Sequence, residues 1–378
     1  MKNIFRLLLL LVMIGSSIRG QDTKNKVIKK IKDPRPKNAV ESILETFDKY
    51  PVVALAEAHR LQQEHDLITS LIQHPAFPAS VNDIVVEFGN ALYQDILDRY
   101  IAGENIPLSE VRPVWRNTAF SPLAPWDAPI YEQFFVKVRA INQNLPPSRR
   151  LRVLAGDPPV DWTRSLQEIE AVKKQNPRDE HFARVVEKEV FAKGRKALII
   201  IGGAHVYRHS WNPYCGDEPG SVIELLDQQH PKAVFVVMVH AFLTRNADLE
   251  ARLASWPKPA FALIKDTWLG AIDTDLFMAS TRTEGFGDGK VVTVKINKYL
   301  GMTLEDLADA YLFLGDLESL TASYPTPEMF KADPDYVREI QRRYELMFRG
   351  KKFPIESLFQ ERKSNKFYTP PGKTPPTR

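Results

Sequence analysis

Cysteine is almost missing from this 378-residue chain: Cys215 is the only one, so no intramolecular disulfide can form and the core must hold the fold. A lone thiol in Asn212-Pro213-Tyr214-Cys215-Gly216, with no positioned base beside it, reads as a loop residue and not as a nucleophile. Long apolar runs are scarce too. Leu7 to Ile14 is continuous and apolar but too short to span a bilayer, and no later stretch is longer, so no transmembrane anchor is expected. Without a cysteine nearby, a lipid-anchored form is not expected either. No Gly-x-Ser-x-Gly elbow is present, which argues against a serine hydrolase of that type. The His-Glu-x-x-His pattern of zinc helices is absent as well, and no internal repeat stands out.

A basic domain is also lacking, although the sequence pI is near 8.9. Residues 1–37 hold ten Lys or Arg against two acids and residues 351–378 hold seven against two, which leaves residues 38–350 at −9. The positive charge lies in the two ends, which excludes the usual pattern of a folded nucleic-acid binder. The amino end has the outline of a signal peptide over residues 1–20: a basic start through Arg6, the apolar run, then small residues before Gln21. The expectation is an exported protein, periplasmic or secreted. It would have a basic flexible lead-in over residues 21–37, a single α/β domain over 38–350 and a Pro- and Lys-rich tail over 351–378.

Within the expected domain, short apolar runs alternate with helical patterns. Val52-Val53-Ala54-Leu55 reads as a strand buried on both faces. It runs directly into Glu57 and His59, and the next helix carries Leu61, His65, Ile68 and Ile72 on one stripe. A second strand, Asp83 to Phe88, contains Glu87. A third, Leu151 to Leu154, leads to Asp157, and a fourth, Ala197 to Ile201, leads to Gly202-Gly203-Ala204-His205. Further strands are expected at Ala233 to Val239, ending in His240, at Ala260 to Ile264, and at Ala310 to Leu314. The alternation from Val52 to Leu314 predicts an α/β fold, a largely parallel sheet with helices on both faces. Parallel strands then deliver Glu57, His59, Glu87, Asp157 and His205 to one strand-end rim, where α/β sheets bind ligands.

Several segments carry a second reading. His65 on the buried stripe suits a core histidine bonded to backbone, or a site residue. Asp157 before Pro158-Pro159 suits a turn former, or an acid that orients a histidine. Residues 103–129 read as a long loop with Arg112, Trp115, Arg116 and Trp126, its tryptophans either binding an apolar ligand or pinning the loop. Thr281 to Lys290, TRTEGFGDGK, has three alternating glycines but does not read as a phosphate loop: Asp288-Gly289 before a strand Val291 to Ile296 reads as a hairpin turn.

Ala56-Glu57-Ala58-His59, the strand-end Glu87 and Gly202-Gly203-Ala204-His205 together resemble the superfamily of erythromycin esterases, haem-binding ChaN-like proteins and Tiki proteases. The resemblance spans roughly residues 50–315, with Ala56 where the family usually has Gly. It implies catalytic roles for Glu57, His59, Glu87 and His205, and in the metal-dependent members a site drawn from His59, Glu87 and His205. The esterases also imply an arginine in the helix after the first motif, and Arg60 is the one that comes near. The haem-binding branch implies axial ligands, for which Tyr207 and His209 are candidates; the plainer reading of both is a polar surface turn.

Two histidines and two or three carboxylates at one rim support two modes. In one, an imidazole removes a proton from water while a carboxylate fixes its tautomer. In the other, imidazoles and a carboxylate hold a divalent metal whose bound water becomes the nucleophile. Either mode hydrolyses an ester, lactone or amide in a small-molecule or peptide substrate. The alternative is haem or metal binding without turnover.

Overall fold

The computed structural model describes residues 31–122, 125–208, 220–241, 247–274, 280–285, 291–296 and 302–367. Ten strands run in chain order: β1 (Lys37–Asn38), β2 (Val52–Glu57), β3 (Asp83–Asn90), β4 (Arg152–Asp157), β5 (Ala197–Gly202), β6 (Val234–Val239), β7 (Ala260–Leu263), β8 (Ser280–Gly285), β9 (Val291–Ile296) and β10 (Ala310–Phe313). Eight form one sheet in the order β1-β7-β10-β6-β2-β5-β3-β4, while β8 and β9 pair by themselves. Pairing is parallel from β10 through to β4, and antiparallel where β7 meets β10 and β1. The α/β, largely parallel sheet is therefore as the alternation predicts.

The two-residue period of the strands divides the core. Val53, Leu55, Ile84, Val86, Leu198 and Ile200 point to one face, with the helices Ala39–Thr46, Gln62–Gln73, Gln94–Ala102 and Pro129–Gln143. Val52, Ala54, Val85, Ile199 and Ile201 point to the other, with Arg178–Glu189, Val222–Gln229 and Ala247–Leu253. Helices thus cover both faces, as a parallel sheet requires. Within the Gln62–Gln73 helix, His65, Ile68 and Ile72 are buried, and Leu61 is buried just ahead of it, as the stripe predicts.

Three local expectations change. Residues 103–129 are not one irregular loop: Leu108–Val111 and Pro113–Arg116 are short helices, and Trp115 stacks on Phe135 at 5.1 Å. The periodicity over Ala91–Ala102 predicts one helix with Leu92 on its packing face, but Leu92 is exposed, because a 3-10 turn over Ala91–Tyr93 precedes the Gln94–Ala102 helix and shifts the stripe. The strand expected to end at Phe88 continues to Asn90, with a register break between Val86 and Asn90. β8 and β9 are antiparallel, consistent with a hairpin, although its turn lies outside the described residues.

A carboxyl-proximal ribbon closes the region beside β2. Leu61 bridges Ala322, Thr321 bridges Lys366, and Phe367 packs on the core face that carries the Gln62–Gln73 helix. Among the described residues, no helix is long and apolar enough to cross a membrane.

Candidate functional site

The site begins where β2 ends. Parallel register puts Glu57 opposite Gly202 on β5, so the Glu57-to-His59 turn and the Gly202-to-His205 turn leave the sheet side by side. Glu87 enters from β3, at its register break. The turn after β2 is held from several directions. Glu64 accepts the Ala58 N–H at 2.8 Å, the Tyr131 hydroxyl accepts the Arg60 N–H at 3.0 Å, and Arg60 Nε donates to the Pro125 carbonyl at 3.3 Å. Arg60 itself has φ +70°, a left-handed backbone that a non-glycine residue adopts only when its surroundings impose it.

Glu57 is fully buried and multiply bonded. His59 Nδ1 lies 3.2 Å from its Oε2, while His65 Nε2 at 3.0 Å and the Tyr131 hydroxyl at 2.9 Å meet its Oε1. Burial pushes this carboxyl up, but the His59 charge and the hydrogen bonds from His59 and His65 outweigh it and hold Glu57 at about 2. His65 is therefore bonded to a site carboxylate and not to backbone. Nearby Glu64 shows the opposite balance: burial and the neighbouring Glu57 charge raise it well above the usual carboxylate range.

His59 is the side chain of this group that solvent reaches, with 36% of it exposed. Its ring stands edge-on to Trp126 at 4.7 Å, and its Nε2 is 3.9 Å from Glu87 Oε2. Burial lowers its affinity for a proton, yet Glu87 and Glu57 raise it above the usual 6.5. Trp126 is buried, so it both pins its segment and walls the histidine.

Glu87 is the hub. Gly202 N–H donates to its Oε2 at 2.6 Å, Arg178 Nη2 lies 2.6 Å from its Oε1, and His205 Nε2 is 3.8 Å from the same oxygen. Burial raises Glu87, but Arg178 first and then the two histidines bring it below its ordinary value. Arg178 also donates to Asp157 at 2.7 Å, and Asp157 accepts the Ala119 N–H at 2.5 Å. Asp157 thus anchors an arginine and a backbone amide, and burial keeps its carboxyl raised despite both. His205 Nδ1 meets Asp179 at 2.5 Å, while Arg178 Nη1 stands 3.5 Å from Nε2. That fixes the tautomer: Nδ1 carries the proton, and Nε2 accepts.

The structure accordingly brings together Glu57, His59, Glu87, His205, His65 and Asp157. His240 is elsewhere, fully buried between the Tyr311 hydroxyl at 2.5 Å and Glu250 at 2.8 Å. Tyr207, the haem-ligand candidate read as a surface residue, is instead buried in the core beneath Gly203. His209 lies outside the described residues. Arg178, Asp179, Tyr131 and Glu64 are site residues that motif reading misses. One signal for two of them was present: Asp179 shares a helical stripe with Phe182 and Val186, and Glu64 one with Leu61 and Ile68. An acid on an apolar stripe needs a buried partner.

Glu57, His59 and Glu87 offer one ligand atom each within 4.8 Å of one another, a group able to hold a cation. This differs from the set His59, Glu87 and His205 that the resemblance implies, because Arg178 stands between His205 and Glu87. The donor types suit a divalent metal. The Arg178 charge on Glu87 and the donors already on Glu57 weigh against a tight site.

The described residues define an α/β protein with a histidine and carboxylate site built across neighbouring strand ends. No family model matches the chain, and no curated protein does. Among solved structures it is similar to an erythromycin esterase EreC variant in its open conformation, 12% identical over 73% of this chain and 94% of that one, with a TM-score of 0.42. It is also similar to ChaN of Campylobacter jejuni with cofacially bound haem, 17% identical over 53% and 85% of the two chains, with a TM-score of 0.33. A third is a succinoglycan biosynthesis protein, 11% identical over 81% of this chain and all of that one, with a TM-score of 0.46. Identities this low leave the chemistry to be read from this chain's own residues.

Proposed function

We propose that this protein is a hydrolase that cleaves an ester, lactone or amide by activating water at His59. The observation that carries the reading is the Glu57–His59 pair. The carboxylate bonded to Nδ1 fixes the tautomer, Nε2 has no partner within hydrogen-bond distance among the described residues, and the ring reaches solvent. His59 Nε2 takes a proton from water as the water oxygen bonds to the carbonyl carbon and the carbonyl electron pair moves to oxygen. The resulting imidazolium lies between Glu57 and Glu87. On collapse the carbonyl reforms, the bond to the leaving group breaks, and His59 returns its proton to the departing oxygen or nitrogen. Across Glu87, the Arg178 guanidinium, held by Glu87, Asp157 and the Asp179-oriented imidazole of His205, sets a positive charge beside the site whose field favours the charge that develops on oxygen. The pattern of residues 1–20 supports export to the periplasm or beyond.

The test is a panel of esters, lactones and anilides assayed with wild type, His59→Asn and His205→Ala. Wild-type turnover with loss of at least roughly 10²-fold in each variant is expected, and full turnover in His59→Asn removes the proposed base. Because His59 must be unprotonated and its pKa is raised above 6.5, kcat/KM should climb with pH through a midpoint above that value. A midpoint below 6.5 would contradict the role of the two glutamates.

A second reading, a bound divalent cation, is favoured by the grouping of Glu57, His59 and Glu87. These residues would hold it, and it would supply an acidified bound water. Stoichiometric metal in the purified chain, lost in His59→Asn together with activity, would put this mode ahead.

A further inference from the structure

We propose that Phe120 is the specificity surface of this site, selecting an uncharged substrate with an apolar chain or ring next to the scissile carbonyl. Most of the residues that build the site are unable to grip a substrate. Glu57, Glu87, Asp157 and Trp126 are buried, and the Arg178 side chain is 12% exposed and engaged by Glu87 and Asp157. Phe120 is different. It is 40% exposed, one of few large apolar side chains left to solvent among the described residues.

Its place is fixed by the site. The neighbouring Ala119 N–H donates to Asp157, and the Phe120 ring lies over the Arg178 guanidinium at 4.8 Å. The guanidinium reaches Glu87, which faces His59. A cation beneath one ring face orients the ring and leaves the other face for a ligand. An exposed aromatic held rigidly beside an acid-base site provides apolar area at little entropic cost. The charge class follows from Glu87, Asp157 and Asp179 around Arg178: the guanidinium is already paired on two sides, so an incoming anion finds its charge offset.

Turnover in this inference rests on the hydrolase reading, but binding does not, so the experiment reads both. Binding of hexanophenone, an uncleavable ketone of the shape of an aryl or alkyl ester, is measured by calorimetry on wild type, Phe120→Ala and His59→Asn. In parallel, hydrolysis of phenyl hexanoate, methyl acetate and the anionic phenyl hydrogen succinate is followed. The expected result is ketone affinity about tenfold weaker in Phe120→Ala, with a smaller change in His59→Asn. Phenyl hexanoate should show a raised KM in Phe120→Ala, with methyl acetate unaffected. Ketone binding that depends on Phe120 in a chain that hydrolyses nothing would retain the surface and reject the hydrolase. Equal ketone affinity in wild type and Phe120→Ala overturns the proposal whatever the turnover, and so does a preference for the succinate ester.

Discussion

Gly202 lacks a side chain because His59 occupies the space one would need. A Cβ there would lie 2.9 Å from His59 Cε1, 3.0 Å from Nε2 and 3.2 Å from Glu87 Oε2, distances at which the imidazole must move. The backbone at Gly202 is otherwise ordinary, and its N–H bond to Glu87 does not depend on the missing side chain. Gly202→Ala should therefore fold normally by circular dichroism and thermal melting, yet lose roughly 10²-fold in kcat, the scale of a 1 Å misplacement of a reacting group. Undiminished turnover would show that His59 does not act from this position. The Gly-x-x-His pattern was legible in the chain. Its reason was not, because the contact joins β2 to β5 and depends on the register that sets Glu57 against Gly202.

The helix Arg178–Glu189 shows how much one element can add unseen. Its first turn carries both the arginine that joins Glu87 to Asp157 and the acid that orients His205. Residues 178–193 by themselves predict a helix that starts at Arg178. They do not give its neighbour, since which strand end a helix terminus faces is a tertiary fact. Asp179→Asn keeps the size of the side chain and removes the charge that stabilises the Nδ1-protonated imidazole. It should lower kcat by roughly 10²-fold with KM little changed. A purely structural Asp179 would lower the melting temperature and leave kcat of the folded chain intact. β3 makes the same point: its overrun to Asn90 depends on Asn90 bonding the Asn117 and Val160 carbonyls, partners that no local pattern announces.

Over the whole molecule, the apolar runs specify the sheet and its two covered faces, while the buried charges carry its pH response. Glu57 is held at about 2 against an ordinary 4.5. A lowered carboxyl stabilises the fold above its unfolded value, and that contribution is lost as pH falls through 4.5 toward 2. Urea titrations at stepped pH should show wild type more stable than Glu57→Gln at pH 7, with the gap closing across that window. A gap that stays constant down to pH 2 would mean that Glu57 is not the titrating group. Glu64 acts in the other direction: its raised carboxyl resists ionisation in the fold, so it opposes stability as pH rises.

The ribbon beside β2 bears on the order in which the molecule is completed. Ser323 N–H bonds the Arg60 carbonyl and Gln62 N–H bonds the Thr321 carbonyl, while Ala322 N–H in turn bonds the Asn365 carbonyl. The turn bearing His59 is thus closed by chain that follows every described strand in sequence. A nascent polypeptide can assemble β2, β5 and β3 and still lack the clasp that holds Arg60 in its left-handed backbone. The clasp on the His59 turn therefore draws on residues 321–323 and 365, which emerge after every strand of the sheet.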